Sequence, residues 1–291
     1  MAQSPARRSA AHAILGAACT APMPILVALA NAGPVPTAVY RCVFALPVLA
    51  VLALVERRRR GRPTAATRGY AVLAGLLLSV DLVLFNHVIT DAGAGVSTVI
   101  GSLYLPFVSV LAWTLLRERP DRRYLLALPV VLAGVVLVSG LLGGSGTGPD
   151  PAGGVAYALA ASAAYAGFLL MVRQTGGGPG HVAGQLFDVT AGAAAGALLF
   201  GLVSGGLQLA LPWRSVWWLL LLALIVQVAG WLLITSSLPG LPASLSALLL
   251  LLQPAVALVL AAVILHQRPD LLQIAGAALV GCGVLSVSRS R

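Results

Sequence analysis

Three charged side chains, Arg41, Asp81 and Asp188, stand inside apolar runs long enough to cross a bilayer. A charge at that depth is costly and therefore rare, so its default reading is functional: it pairs, binds or relays. Arg41 lies about 9 Å, at the helical rise, from the outer end of its run, and Asp81 about 13 Å from the outer end of the next. The depths nearly match and the runs are neighbours, so the expectation is either a salt bridge between them or a pair that only neutralises itself. Asp188, the deep acid of the second half, is the first candidate for a proton carrier whose charge would follow pH, with Asp81 as the second. One cation and two acids so placed could ligate a zwitterion or shuttle a proton. Around them, Asn86, Tyr104, Tyr165, Gln227, Trp231 and Gln253 are neutral polar or aromatic groups well inside apolar runs. Such groups orient substrates in mostly apolar pockets, although each alone reads equally well as inter-helix glue. With the three charges they make up the candidate substrate site.

Other chemistries find no support. The sequence contains no HExxH, P-loop, GxSxG or CxxC motif, and its four His are scattered. Asp81 and His87 are about 120° apart around a helix and do not share a face. Cys19, Cys42 and Cys282 all sit in apolar runs and read as small packing residues, with neither a disulfide framework nor a metal site. No cofactor and no nucleic-acid partner is expected.

The elements that must position these groups are apolar helices. Hydrophobic residues make up 59% of 291, charged residues 9%, and mean hydropathy is +0.97, which excludes a water-soluble globular domain. A bilayer core of about 30 Å takes roughly 20 helical residues, and such runs recur near 12–30, 35–55, 66–90, 94–115, 123–141, 153–172, 181–203, 214–236, 243–264 and 270–288. We refer to these as spans 1 to 10. They leave no room for a soluble catalytic domain. Pro22 and Pro24 fall within span 1, where each removes a backbone donor; either a tolerated bend or a broken helix at a binding site follows. Span 1 also imitates a secretory signal, but its removal would leave nine spans and misplace the Arg-rich loops.

All 18 basic residues are Arg, and they account for the net charge of +10. Fifteen fall on one side of the spans, including Arg7, Arg8, Arg57–Arg60, Arg62 and Arg68, against Arg214 and Arg268 on the other. The positive-inside rule places that side, with both termini, in the cytoplasm. The composition, rich in Ala, Gly and Leu and free of Lys, suggests a GC-rich bacterial genome and hence a bacterial inner membrane.

Two stretches resemble each other. LPFVSVLAWTLLRERPD followed by LLALPVVLAGVVLV, and QPAVALVLAAVILHQRPD followed by LLQIAGAALVGCGVLSV, align with a shift of 149 residues that also brings Gly134 onto Gly283. Spans 4 and 5 thus match spans 9 and 10. The expected architecture is an all-α polytopic membrane protein of two five-helix units, 1–141 and 153–291, joined by an external linker at 142–152. An odd number of spans per unit inverts the second, the usual construction of secondary transporters.

At this point the chain resembles the drug/metabolite transporter superfamily, in particular its ten-helix EamA-type members. The residues that carry the resemblance are Pro106 in span 4, Glu118 at its end and Gly134 in span 5, then Pro254 and Gly283 in the second half, where Gln267 replaces the commoner Glu. Arg41 matches an Arg often seen in span 2. The resemblance implies a central cavity between the halves, lined by spans 1–4 and 6–9, and small metabolites such as amino acids or nucleobases as substrates. The expected function is a secondary transporter, an exporter of amino-acid-like or other small polar metabolites, working by alternating access as a monomer or homodimer. The alternatives are proton-coupled uptake and a non-transport membrane sensor or scaffold.

Overall fold

The computed structural model describes residues 5–61, 63–101, 103–116, 148–174, 181–208, 210–237 and 270–288, with short pieces between 126 and 137 and between 257 and 266. Every regular element among them is helical: α1 (Pro5–Thr20), α2 (Met23–Ala30), α3 (Pro34–Arg60), α4 (Ala65–Ala92), α5 (Ala94–Gly101), α6 (Tyr104–Leu116), α7 (Pro151–Gln174), α8 (Val182–Ser204), α9 (Trp213–Leu221), a π-helical segment (Leu222–Gly230), α10 (Trp231–Ser237) and α11 (Leu271–Ser288). Five of the helices, 34–60, 65–92, 152–172, 182–204 and 213–236, are long and apolar enough to cross a membrane. They correspond to spans 2, 3, 6, 7 and 8. Spans 5 and 9, most of the linker, Glu118, Gln253, Pro254 and Gln267 lie largely or wholly outside the described residues.

Two spans are interrupted. Span 1 breaks between α1 and α2 at Ala21–Pro22, where the missing proline donor ends one helix and Pro24 opens the next. Span 4 divides into α5 and α6. Span 8 is continuous but changes from α to π and back. The ends are set by local chemistry. Thr64 caps α4 by accepting the Thr67 N–H at 3.2 Å, and α3 finishes in Arg57–Arg60, whose charges suit a helix C-terminus.

The directions of the helices follow from side-chain contacts. Glu56 at the end of α3 accepts the N–H groups of Ala183 (3.3 Å) and Gly184 (2.7 Å) at the start of α8, while Val35 at the start of α3 packs on Gly201 near the end of α8. Helices α3 and α8 are therefore antiparallel. By contrast α4 runs parallel to α8, with Arg68 beside Asp188, Val72 beside Gly192 and Ser79 beside Gly196. Against α7, α4 is antiparallel: His87 stacks on Tyr157 and Leu77 meets Gly167. Finally, α1 is antiparallel to α10, through His12 with Ser236 and Gly16 with Ile234.

These packings form exchange-related pairs. Swapping spans 1, 2 and 3 for 6, 7 and 8 turns the α4–α7 contact into that of span 8 with α1, turns α4–α8 into span 8 with α3, and maps α3–α8 onto itself; all are present. The largest buried core lies where α3, α4, α7 and α8 meet, and includes Ala38, Cys42, Ala74, Leu78, Phe168 and Ala193. Small residues dominate it because, in lipid, helices associate by close packing rather than by hiding apolar surface from water. Many large apolar side chains point outward, Val51, Leu73, Leu199 and Leu202 among them.

Candidate functional site

Arg41 is buried, at 3% exposure, on the second turn of α3. Its Nε donates to Gln227 Oε1 at 2.8 Å, and its Nη1 donates to Met23 Sδ at 3.4 Å. Gln227, itself buried in the π segment, completes the chain by donating through Nε2 to Thr190 Oγ1 on α8 at 3.2 Å. An arginine Nε can only donate, so Gln227 must present its oxygen there and its amide group to Thr190. Four elements thus fix one guanidinium: α3 carries it, the π segment and α8 hold its partner, and the α1–α2 break places Met23 against it.

Asp81, midway along α4, is half-buried and forms no ion pair with Arg41. The expected direct salt bridge is replaced by the Gln227 and Met23 contacts, although the Asp81 charge acts on both Arg41 and Tyr165. Next to these groups runs a line of aromatic rings. Tyr104 on α6 meets Tyr165 on α7 edge-on at 5.1 Å, Tyr165 meets Phe168 at 5.5 Å, and Phe168 meets Trp231 of α10 edge-on at 6.2 Å. A buried cation with neutral partners, a carboxylate set apart from it, and aromatic faces beside both can hold an anionic group, an ammonium and an apolar body respectively.

Of the residues singled out from sequence, Arg41 and Gln227 bond to each other, and Tyr104, Tyr165 and Trp231 belong to the ring line, with both halves represented in each set. Asn86 does not join them. Its Nδ2 donates to the Pro34 carbonyl at 2.9 Å, tying α4 to the start of α3, and its Oδ1 is buried without a hydrogen-bond partner. Gln253 lies outside the described residues.

Asp188 belongs to a different place. It is buried near the start of α8, where Arg68 Nε and Nη2 donate to its two oxygens at 3.0 and 3.1 Å, and Arg57 Nη2 stands 3.6 Å away. Asp188 is thus an ion-paired carboxylate at the arginine-rich end, apart from Arg41. Together with the Glu56 cap and His181, whose Nε2 lies 3.3 Å from the Gly61 carbonyl oxygen, it joins the α3–α4 turn to the start of α8.

Met23, Thr190 and Phe168 were absent from the sequence reading of the site. Phe168 follows Tyr165 by one helical turn, a spacing that could have suggested it. Met23 and Thr190 carry no such signal, because only the fold brings them to Arg41.

The profile of the EamA-like transporter family matches residues 8–140 and, a second time, 152–289. The chain belongs to the EamA-like transporter family. Its two matched segments are the two halves whose spans exchange in the packing above. A solved crystal structure of a protein aligns with this EamA-like chain at 18% identity, covering 98% of this chain and 96% of its own, with a TM-score of 0.63, which shows a shared fold. No curated protein sequence matches. A multi-pass membrane transporter follows from the family and from the apolar helices.

Proposed function

We propose that this EamA-like protein is a secondary transporter that exports amino-acid-like or other small polar metabolites by alternating access between two inverted five-helix halves. One observation carries the reading: the Arg41–Gln227–Thr190 chain ties span 2 of the first half to spans 7 and 8 of the second, and the Tyr104–Tyr165–Phe168–Trp231 line likewise ties span 4 to spans 6 and 8. The antiparallel α3 and α8, which are span 2 and its repeat counterpart, support the inversion. In this reading the substrate carboxylate meets Arg41, its ammonium meets Asp81, and its body lies on the rings. The arginine-rich end faces the cytoplasm of a bacterial cell, as the loop charges require.

Asp81 is also the acid best placed to take up a proton, because it is half-buried and free of a direct ion pair, whereas Asp188 is held by Arg68 and Arg57. The test is flux in proteoliposomes with labelled amino acids. Saturable uptake that accelerates when unlabelled substrate is preloaded supports the reading. Uptake indistinguishable from empty liposomes for the common amino acids and for other small polar metabolites, nucleobases included, would contradict it and favour a sensing or scaffolding role.

A further inference from the structure

We propose that Gln227 determines specificity by being neutral: it fixes the Arg41 guanidinium without cancelling its charge, and so reserves that charge for an anionic group on the substrate. The proposal rests on the transport reading above and deepens it.

Among the described residues, every direct partner of Arg41 is uncharged. Gln227 Oε1 takes the Nε proton, Met23 Sδ takes one from Nη1, and Asp81 remains outside ion-pairing distance. A buried guanidinium is ordinarily paired with a carboxylate. Elsewhere in this same molecule that rule holds, since Asp188 is met by Arg68 and Arg57. At Arg41 the fold supplies an amide in the position where a Glu side chain would fit, and it holds that amide in place through Thr190. The π segment is a second sign of design for position: such irregularities within α-helices recur at functional sites, and this one spans Leu222–Gly230 with Gln227 inside it. A structural tie between α3 and span 8 would need neither the π turn nor a guanidinium without a directly bonded carboxylate. Gln227 is thus a positioning residue, acting on substrate through Arg41.

Gln227→Glu tests this with little change in shape. The new carboxylate can accept from Arg41 Nε and from the Thr190 hydroxyl, so packing is kept while the charge of Arg41 is cancelled. The readout is a ratio: half-saturating concentration for the best transported amino acid against that for its amide or decarboxylated amine, in proteoliposomes of the full chain. Relative to wild type, Gln227→Glu should weaken the carboxylate substrate by about ten- to a hundredfold and leave the carboxylate-free amine equal or better, reversing the preference. An unchanged ratio in a folded Gln227→Glu protein would overturn the proposal. If that variant does not fold, Gln227→Met decides: it should weaken the carboxylate substrate more than the amine, and equal losses would mark Gln227 as merely structural. A wild type without any amino-acid flux would instead overturn the amino-acid reading of the substrate on which this one stands.

Discussion

Asp188 and Arg41 show how differently one chain can treat a buried charge. The Asp188 carboxylate receives two hydrogen bonds from Arg68, and Arg57, whose Nε and Nη2 have no hydrogen-bond partner, faces it at 3.6 Å. Removing it by Asp188→Ala leaves the half-buried Arg57 without its ionic partner and should cost about 2 to 3 kcal/mol. Arg68→Ala should cost only about 1 kcal/mol, because that side chain is 46% exposed and Arg57 still faces the acid. Thermal unfolding in detergent measures both, and equal losses would contradict the arrangement. Arg41 and Asp81 were legible in the sequence because a charge in an apolar run stands out. Their partners were not. Arg68 reads as a loop charge, and only the length of its side chain lets it reach back into the span to Asp188. Gln227 and Thr190 lie 37 positions apart and meet only after α8 and span 8 have packed.

At the scale of helices, α4 and α8 approach backbone to backbone. A Cβ on Gly192 would overlap the Val72 carbonyl, and one on Gly75 would overlap that of Val189 while coming within 2.8 Å of the Ala193 nitrogen. Backbone meets backbone there, so no side chain can move aside. Gly192→Ala should therefore lower stability by about 2 kcal/mol or more and reduce the folded yield. Gly69→Ala, on the same α4 but with nothing within 4 Å, should be neutral or stabilising by up to about 1 kcal/mol. Comparing detergent-solubilised yield and unfolding temperature of the two separates the cases. Of the two readings open for the proline pair of span 1, a tolerated bend or a broken helix, the structure has the break, at Ala21–Pro22. The π segment gave no sign, because Leu222–Gly230 is equally apolar whichever way its backbone is wound.

For the whole molecule, the twofold relation between halves was visible as the 149-residue repeat, and the double match to the EamA-like family covers both halves. What the repeat could not give was the meeting point, since a shift between sequences says nothing about which faces come together. In the structure that point is the Arg41–Gln227–Thr190 chain with Met23 against it. If the halves alternate around it, the same atoms must be reachable from each side of the membrane in turn. The direct measurement is a single thiol at Met23→Cys, in a protein whose Cys19, Cys42 and Cys282 have been replaced, challenged with a membrane-impermeant reagent in intact cells and in inside-out vesicles. Alternating access predicts labelling from both faces, slowed on both by the transported substrate. Labelling from one face only, with and without substrate, would contradict it.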